Sequence, residues 1–215
     1  MATTPHLCGL ILAAGESSRM GTDKALLPWP PSAAGRAAPA CQTLLSAAII
    51  ALQPFTRAVV VVAGNNSARI ASTVAARGAI SVRNPAPERG QFSSLQTGLR
   101  EILARGCDAA MITPVDCPPL RTESLALLSA SFERARSHGL WAVAPENNGK
   151  HGHPLLVNCE MIDAFLAAPV PSNAREILRA HAEHIEYVPV PDKLARAGLN
   201  TPEDYAALAP TAEPE

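Results

Sequence analysis

The chain of 215 residues is poor in aromatics, in lysine and in long hydrophobic runs, and each shortage excludes something. Aromatic residues make up 4% of a chain that is 47% apolar, so its core must be built from Ala, Leu, Val and Ile, which suits helices packed on a sheet. The formal net charge is −1 and no run of Lys or Arg reads as a binding patch, so no nucleic-acid partner is expected. The opening "MATTPHLCGLILAAG" has a short apolar run and no basic residues ahead of it. It reads as a first strand rather than a signal peptide or a membrane span, and a cytoplasmic protein with no membrane partner is expected. Five cysteines, Cys8, Cys41, Cys107, Cys117 and Cys159, make no C-x-x-C pair and no zinc spacing. Reduced, mostly buried thiols are the expectation for them.

What the chain does have is alternation. Apolar runs rich in β-branched residues stand at "LCGLILAA", "AVVVVAG", "AISV", "AAMITPVD" and "LWAVAP", with stretches of helical length between them. That order predicts a single α/β domain with a mostly parallel twisted sheet covered by helices on both faces. In "QTLLSAAIIALQ" the residues Leu44, Leu45, Ala48, Ile49 and Leu52 fall at helical spacing before Pro54, which predicts a core-facing helix. The domain is expected to span residues 1–208, ending in a helix at "PEDYAALA", with a frayed tail over 209–215. The Pro- and Ala-rich segment 28–40 is expected to be an exposed loop.

The chemistry concentrates at "LILAAGESSRMGTDKALLPW", residues 10–29. Ala13, Ala14, Gly15, Ser17, Ser18 and Gly21 are small enough for backbone N–H groups to approach phosphate oxygens. Arg19 adds a two-pronged donor, and Lys24, one of only three lysines, adds a point charge. A solvated lysine at a helix entry is the plainer alternative for Lys24. Neither common glycine motif fits. Gly15 and Gly21 are separated by five residues and Lys24 precedes Ala25, against four residues and a Lys-Ser/Thr pair in the Walker loop, and no G-x-G-x-x-G is present.

Residues 12–28 instead match "LAAGxSxRMGxxKxLLP", and the chain thereby resembles the molybdenum-cofactor group of nucleotidyltransferases, the MobA-like or MocA-like NTP transferases. The resemblance implies a three-layer, Rossmann-like α/β/α domain of the nucleotide-diphospho-sugar transferase type. It implies a loop that binds a nucleoside triphosphate through Leu12, Ala13, Ala14, Gly15, Ser17, Ser18, Arg19, Gly21 and Lys24, with Arg19, Lys24 and Asp116 as the catalytic set. Further stations follow in order along the chain. "RGQFSSLQTGL" brings Gly90, Ser93 and Ser94 to the nucleotide, although the serines equally suit an ordinary helix cap. "MITPVDCPPL" sets Asp116 beyond a strand end as the implied Mg²⁺ ligand, where a plain turn cap is the alternative.

"HGHPLLVN" implies His153 at the acceptor, or only a rigid turn into a strand. "GLNTPEDYAAL" aligns Asn200 with a second metal-binding acid, while Thr201-Pro202-Glu203 also makes a good helix start. "PSNAREILRAH" resembles the acceptor-side segment only loosely, and His181 and His184 read as a polar helix face. Residues 30–40 look like an insertion.

The resemblance implies transfer of a nucleoside monophosphate to a phosphorylated small molecule with release of pyrophosphate, molybdopterin being the first acceptor considered and a molybdoenzyme or its chaperone the onward partner. Leu-Ala-Ala-Gly at residues 12–15 is the form that cytidylyl members carry, against Leu-Ala-Gly-Gly in guanylyl members, and so favours CTP. Two alternatives stay open: another acceptor, such as a sugar phosphate, methylerythritol phosphate or phospholactate, and a nucleotide-binding regulatory protein without turnover.

Overall fold

A computed structural model describes residues 6–31, 42–169 and 171–209. Strand β1 (Leu7–Ala13) is the hub of the sheet, pairing in parallel with β2 (Val59–Ala63) on one side and β4 (Ala109–Pro114) on the other. Beyond β2 lies β3 (Ile80–Arg83), also parallel. On the other side β7 (Leu155–Val157) runs antiparallel between β4 and β5 (Ala142–Asn147), and β5 carries both the short β6 (Lys150–His151) and the parallel β8 (Ile185–Pro189). The sheet is therefore a parallel block of four strands extended by a mixed block, a single α/β domain as the alternation predicts.

β1 is buried along its whole length, and its side chains alternate between two cores with the two-residue period of a strand. Leu7, Ile11 and Ala13 join α1 (Leu44–Leu52), α2 (Ser67–Ala76) and α4 (Thr122–Ser137) on one face. Cys8, Leu10 and Leu12 join α3 (Gln91–Ala104) and α5 (Cys159–Ala167) on the other. Continuous Val and Ile runs are what a strand buried on both faces requires. Helix α1 ends before Pro54 as expected, with Gln53–Phe55 closing it as a 3-10 turn. Two short helices, α6 (Ala174–Ala180) and α7 (Pro202–Ala206), complete the fold. No helix among the described residues is long and apolar enough to cross a membrane.

Two expectations change. Cys8 and Cys107 are joined as a disulfide, their Cα atoms 6.2 Å apart, which corrects the expectation of reduced thiols for these two. The reason is tertiary: β1 pairs directly with β4, so Cys107, two positions before β4, meets β1 although 99 positions separate the cysteines. Cys117 and Cys159 are free, and Cys41 lies outside the described residues. α6 stops before His181, and His181 and His184 lie against Trp141, with ring centroids 4.9 and 4.1 Å away, instead of forming a polar helix face. The segment 32–41, which holds most of the expected loop and insertion, and the tail from residue 210 lie outside the described residues.

Candidate functional site

The loop after β1 is shaped by two left-handed residues, Ser17 at φ 53° and Gly21 at φ 70°, on either side of the 3-10 turn Ser18–Met20. Met20 anchors that turn in a small cluster with Leu27, Leu44 and Leu199. A non-glycine residue held at positive φ needs support from its surroundings. Here the Ser17 hydroxyl accepts a hydrogen bond from the Lys24 backbone N–H at 3.1 Å, which closes the loop onto the second 3-10 turn, Lys24–Leu26.

Lys24 reaches across the strand ends to Asp116. Its Nζ donates to Asp116 Oδ2 at 3.0 Å and to Asn200 Oδ1 at 3.4 Å. Asp116 stands two residues beyond β4, at the carboxyl ends of the parallel strands, where open α/β sheets place ligands. Asn200 arrives from the far end of the chain because Leu199 is buried in the Met20 cluster and its N–H donates to the Asp116 carbonyl at 2.8 Å. Asp204, capping α7, accepts from the Asn200 and Thr201 N–H groups, both at 2.9 Å, and those bonds hold its carboxyl below the usual carboxylate range. One lysine ammonium thus sits between a carboxylate oxygen and an amide oxygen, a cradle whose donor set suits a cation.

One cavity opens at this point and a second adjoins it. A cavity of about 530 Å³ is walled by Leu12, Ala14, Gly15, Ser17, Lys24 and Asp116 on one side and by Pro87, Glu88, Gly90 and Ser94 on the other. A second, of about 810 Å³, is bounded by His153 and carries Lys150, Arg175 and Arg179 on its rim. Gln91 lines both, so the two are neighbours. Of the residues singled out in the sequence, Ala13 is buried in β1, Arg19 is exposed and lines neither cavity, and Ser93 turns away to donate to the Gly90 carbonyl at 2.7 Å. Buried Asn84 donates to both Ser93 Oγ and Ser94 Oγ at 2.9 Å. Glu88, Gln91, Lys150, Arg175 and Arg179 were not singled out. Nothing local marks them, because what unites them is the walls they share.

Cys117 follows Asp116 directly, and burial, with the Asp116 charge adding to it, pushes its thiol up to about 12. It stays protonated and is no nucleophile at neutral pH. His153 has its Nδ1 sealed from solvent with no hydrogen-bond partner, and burial lowers its pKa against the opposing pull of the Ile112 backbone and of Asp116. The imidazole is neutral in the fold. The unfolded chain takes up this proton as pH falls below about 6.5, while the folded chain resists it, so stability present above that value should be lost on acidification. Urea midpoints compared at pH 7.5 and 5.5 should therefore fall more for the wild type than for His153→Gln, and equal falls would remove His153 as the cause.

The model of the family described as MobA-like NTP transferase domain matches residues 9–185. A probable molybdenum cofactor guanylyltransferase of Mycobacterium avium is 30% identical over 97% of this chain and 98% of its own length. A molybdenum cofactor cytidylyltransferase of Escherichia coli is 25% identical over 91% and 92%. Among solved structures, a nucleotidyl transferase from Methanothermobacter superimposes with a TM-score of 0.74 at 20% identity, covering 94% of this chain and 95% of that one, which shows the shared fold.

Proposed function

Because the chain belongs to the MobA-like NTP transferase domain family, we propose that it transfers a nucleoside monophosphate from a nucleoside triphosphate to the phosphate of molybdopterin, releasing pyrophosphate. The observation that carries the reading is the meeting of Lys24 and Asp116 in the lining of a cavity to which the residue 12–24 loop also contributes. The triphosphate lies in that cavity, with Lys24 and the loop N–H groups on its oxygens. Arg19 starts outside the cavity and must swing inward to take part. The phosphorylated acceptor occupies the neighbouring cavity, its charge met by Lys150, Arg175 and Arg179 and its reacting end beside His153.

An acceptor phosphate is largely ionised at neutral pH, so it attacks the α-phosphorus without a general base, and the chain contributes alignment and charge neutralisation. Mg²⁺ would be held by Asp116 and Asn200 and would supply further charge neutralisation on the phosphoryl oxygens. No group of three His, Cys, Asp or Glu side chains that could hold a metal occurs among the described residues, which suits an ion that arrives on the triphosphate.

Relatives of both base specificities match the chain, so the base must be argued from the site. Ala14, which lines the cavity, favours CTP, since its methyl group takes up room that a glycine leaves to a larger base. Calorimetric titration with CTP and GTP in the presence of Mg²⁺ should give CTP the lower Kd by about tenfold or more, a difference of about 1.4 kcal/mol. A preference for GTP would overturn the base assignment and leave the transferase reading in place. Lys24→Ala should raise the CTP Kd about 10- to 100-fold, the usual worth of a hydrogen bond to a charged group, and an unchanged Kd would remove Lys24 from the phosphate site.

A further inference from the structure

We infer that the turn joining β2 to α2, Gly64–Asn66, is the bed on which the nucleotide loop is set, with Asn66 as its positioning residue. The inference rests on the loop's proposed role in binding a nucleoside triphosphate. Asn66 lies far from the motif in sequence, yet the three hydrogen bonds its amide makes all go to the loop or to the turn itself. Its Nδ2 donates to the Ala13 carbonyl and to Asp23 Oδ2, both at 3.0 Å, and its Oδ1 accepts from the Gly64 N–H at 3.1 Å.

The two loop partners of Nδ2 are the two ends of the loop. Ala13 is where the chain leaves β1, and Asp23 is where it returns, its other oxygen accepting the Ala25 N–H at 3.1 Å to cap the turn that carries Lys24. Asp23 is buried, with 7% of its surface exposed. A buried carboxylate must be hydrogen-bonded, and among the described residues Asn66 is its side-chain donor. Gly64 completes the bed by having no side chain, since a Cβ there would stand 2.6 Å from the Ala14 carbonyl oxygen. Loop entry, loop exit and the Ala14 wall of the cavity are therefore referred to one turn, and Asn66 acts on the triphosphate through Ala13, Asp23 and Lys24 without touching it.

Three variants test this, each with thermal unfolding, triphosphate Kd by calorimetry, and KM for both substrates. Asn66→Ala should raise the triphosphate Kd about tenfold and leave the acceptor KM unchanged, a split that general loosening of the fold would not produce. The near-isosteric Asn66→Asp keeps the acceptor for the Gly64 N–H but turns a carboxylate on Asp23, and should do worse. Combining Asn66→Asp with Asp23→Asn restores a donor-acceptor pair between positions 23 and 66 but not the bond to the Ala13 carbonyl, and should recover part of the lost affinity, which isolates the pair by a double-mutant cycle. Unchanged triphosphate affinity in the single variants, an equal rise in acceptor KM, or a double variant no better than Asn66→Asp alone would each overturn the inference. If the wild type itself binds no nucleoside triphosphate, the functional reading fails and the inference with it, whereas wild-type binding with indifferent variants sinks the inference alone.

Discussion

Asp116→Asn is expected to cut pyrophosphate release by about 100- to 1000-fold, the range that removal of one preorganised charge-stabilising group typically costs. The same substitution should leave triphosphate affinity in the absence of Mg²⁺ unchanged or improved. The reason is the 3.0 Å contact with Lys24, whose ammonium must give up the carboxylate before it can turn to a phosphate oxygen. Removing the carboxylate charge frees the lysine, so binding and turnover move in opposite directions, a pattern that damage to the fold cannot imitate. Stability should change by no more than about 1 kcal/mol, since Asp116 is 31% exposed and ion pairs open to water contribute little. Single-turnover pyrophosphate release and metal-free calorimetry on the same preparation check both halves. Full turnover in the variant would remove Asp116 from the reaction.

The sequence discloses the half of the site that is local. Between Leu12 and Lys24 the chain itself carries small residues and cations in one loop, and its chemistry is legible before any folding is considered. Asp116 is legible for a related reason, because a carboxylate following an apolar run in an α/β alternation stands at the ligand-binding edge. What stays hidden is whatever the fold assembles from distant pieces. Asn66 is an ordinary asparagine after a strand until its partners, 53 and 43 positions away, are known. Cys8 and Cys107 read as two separate thiols until β1 and β4 pair. β8, reading "IEYVP", mixes buried and half-buried positions and ends in proline, so neither a continuous apolar run nor a clean alternation marks it. Arg19 shows the converse, a residue whose chemistry is evident and whose position is not, since the turn that buries Met20 leaves its neighbour facing solvent.

Gly152→Ala should be the most damaging single methyl group in the described part of the chain. A Cβ at this position would overlap the Ala195 carbonyl oxygen, and the turn Lys193–Arg196 that carries Ala195 has little freedom to retreat. Buried Asp192 ties the start of that turn to the residue preceding α4, accepting from the Leu194 N–H at 3.0 Å and the Arg121 N–H at 2.9 Å. The Ala195 carbonyl is also the acceptor for the His153 N–H at 3.1 Å, so the clash cannot be relieved without breaking the bond that sets His153 against the second cavity, the proposed acceptor site. Overpacking against backbone of this kind costs about 3 kcal/mol. Gly149→Ala is the control three residues earlier: φ is 72°, but nothing lies within 4 Å of its Cβ, so only the left-handed conformation is penalised, by about 1–2 kcal/mol. Urea unfolding should rank Gly152→Ala well below Gly149→Ala, and acceptor KM should rise for the first and not for the second. Equal stabilities would mean that the Ala195 turn yields. A stable Gly152→Ala with normal acceptor KM would detach His153 from the acceptor, because the clash and the imidazole hang on the same carbonyl.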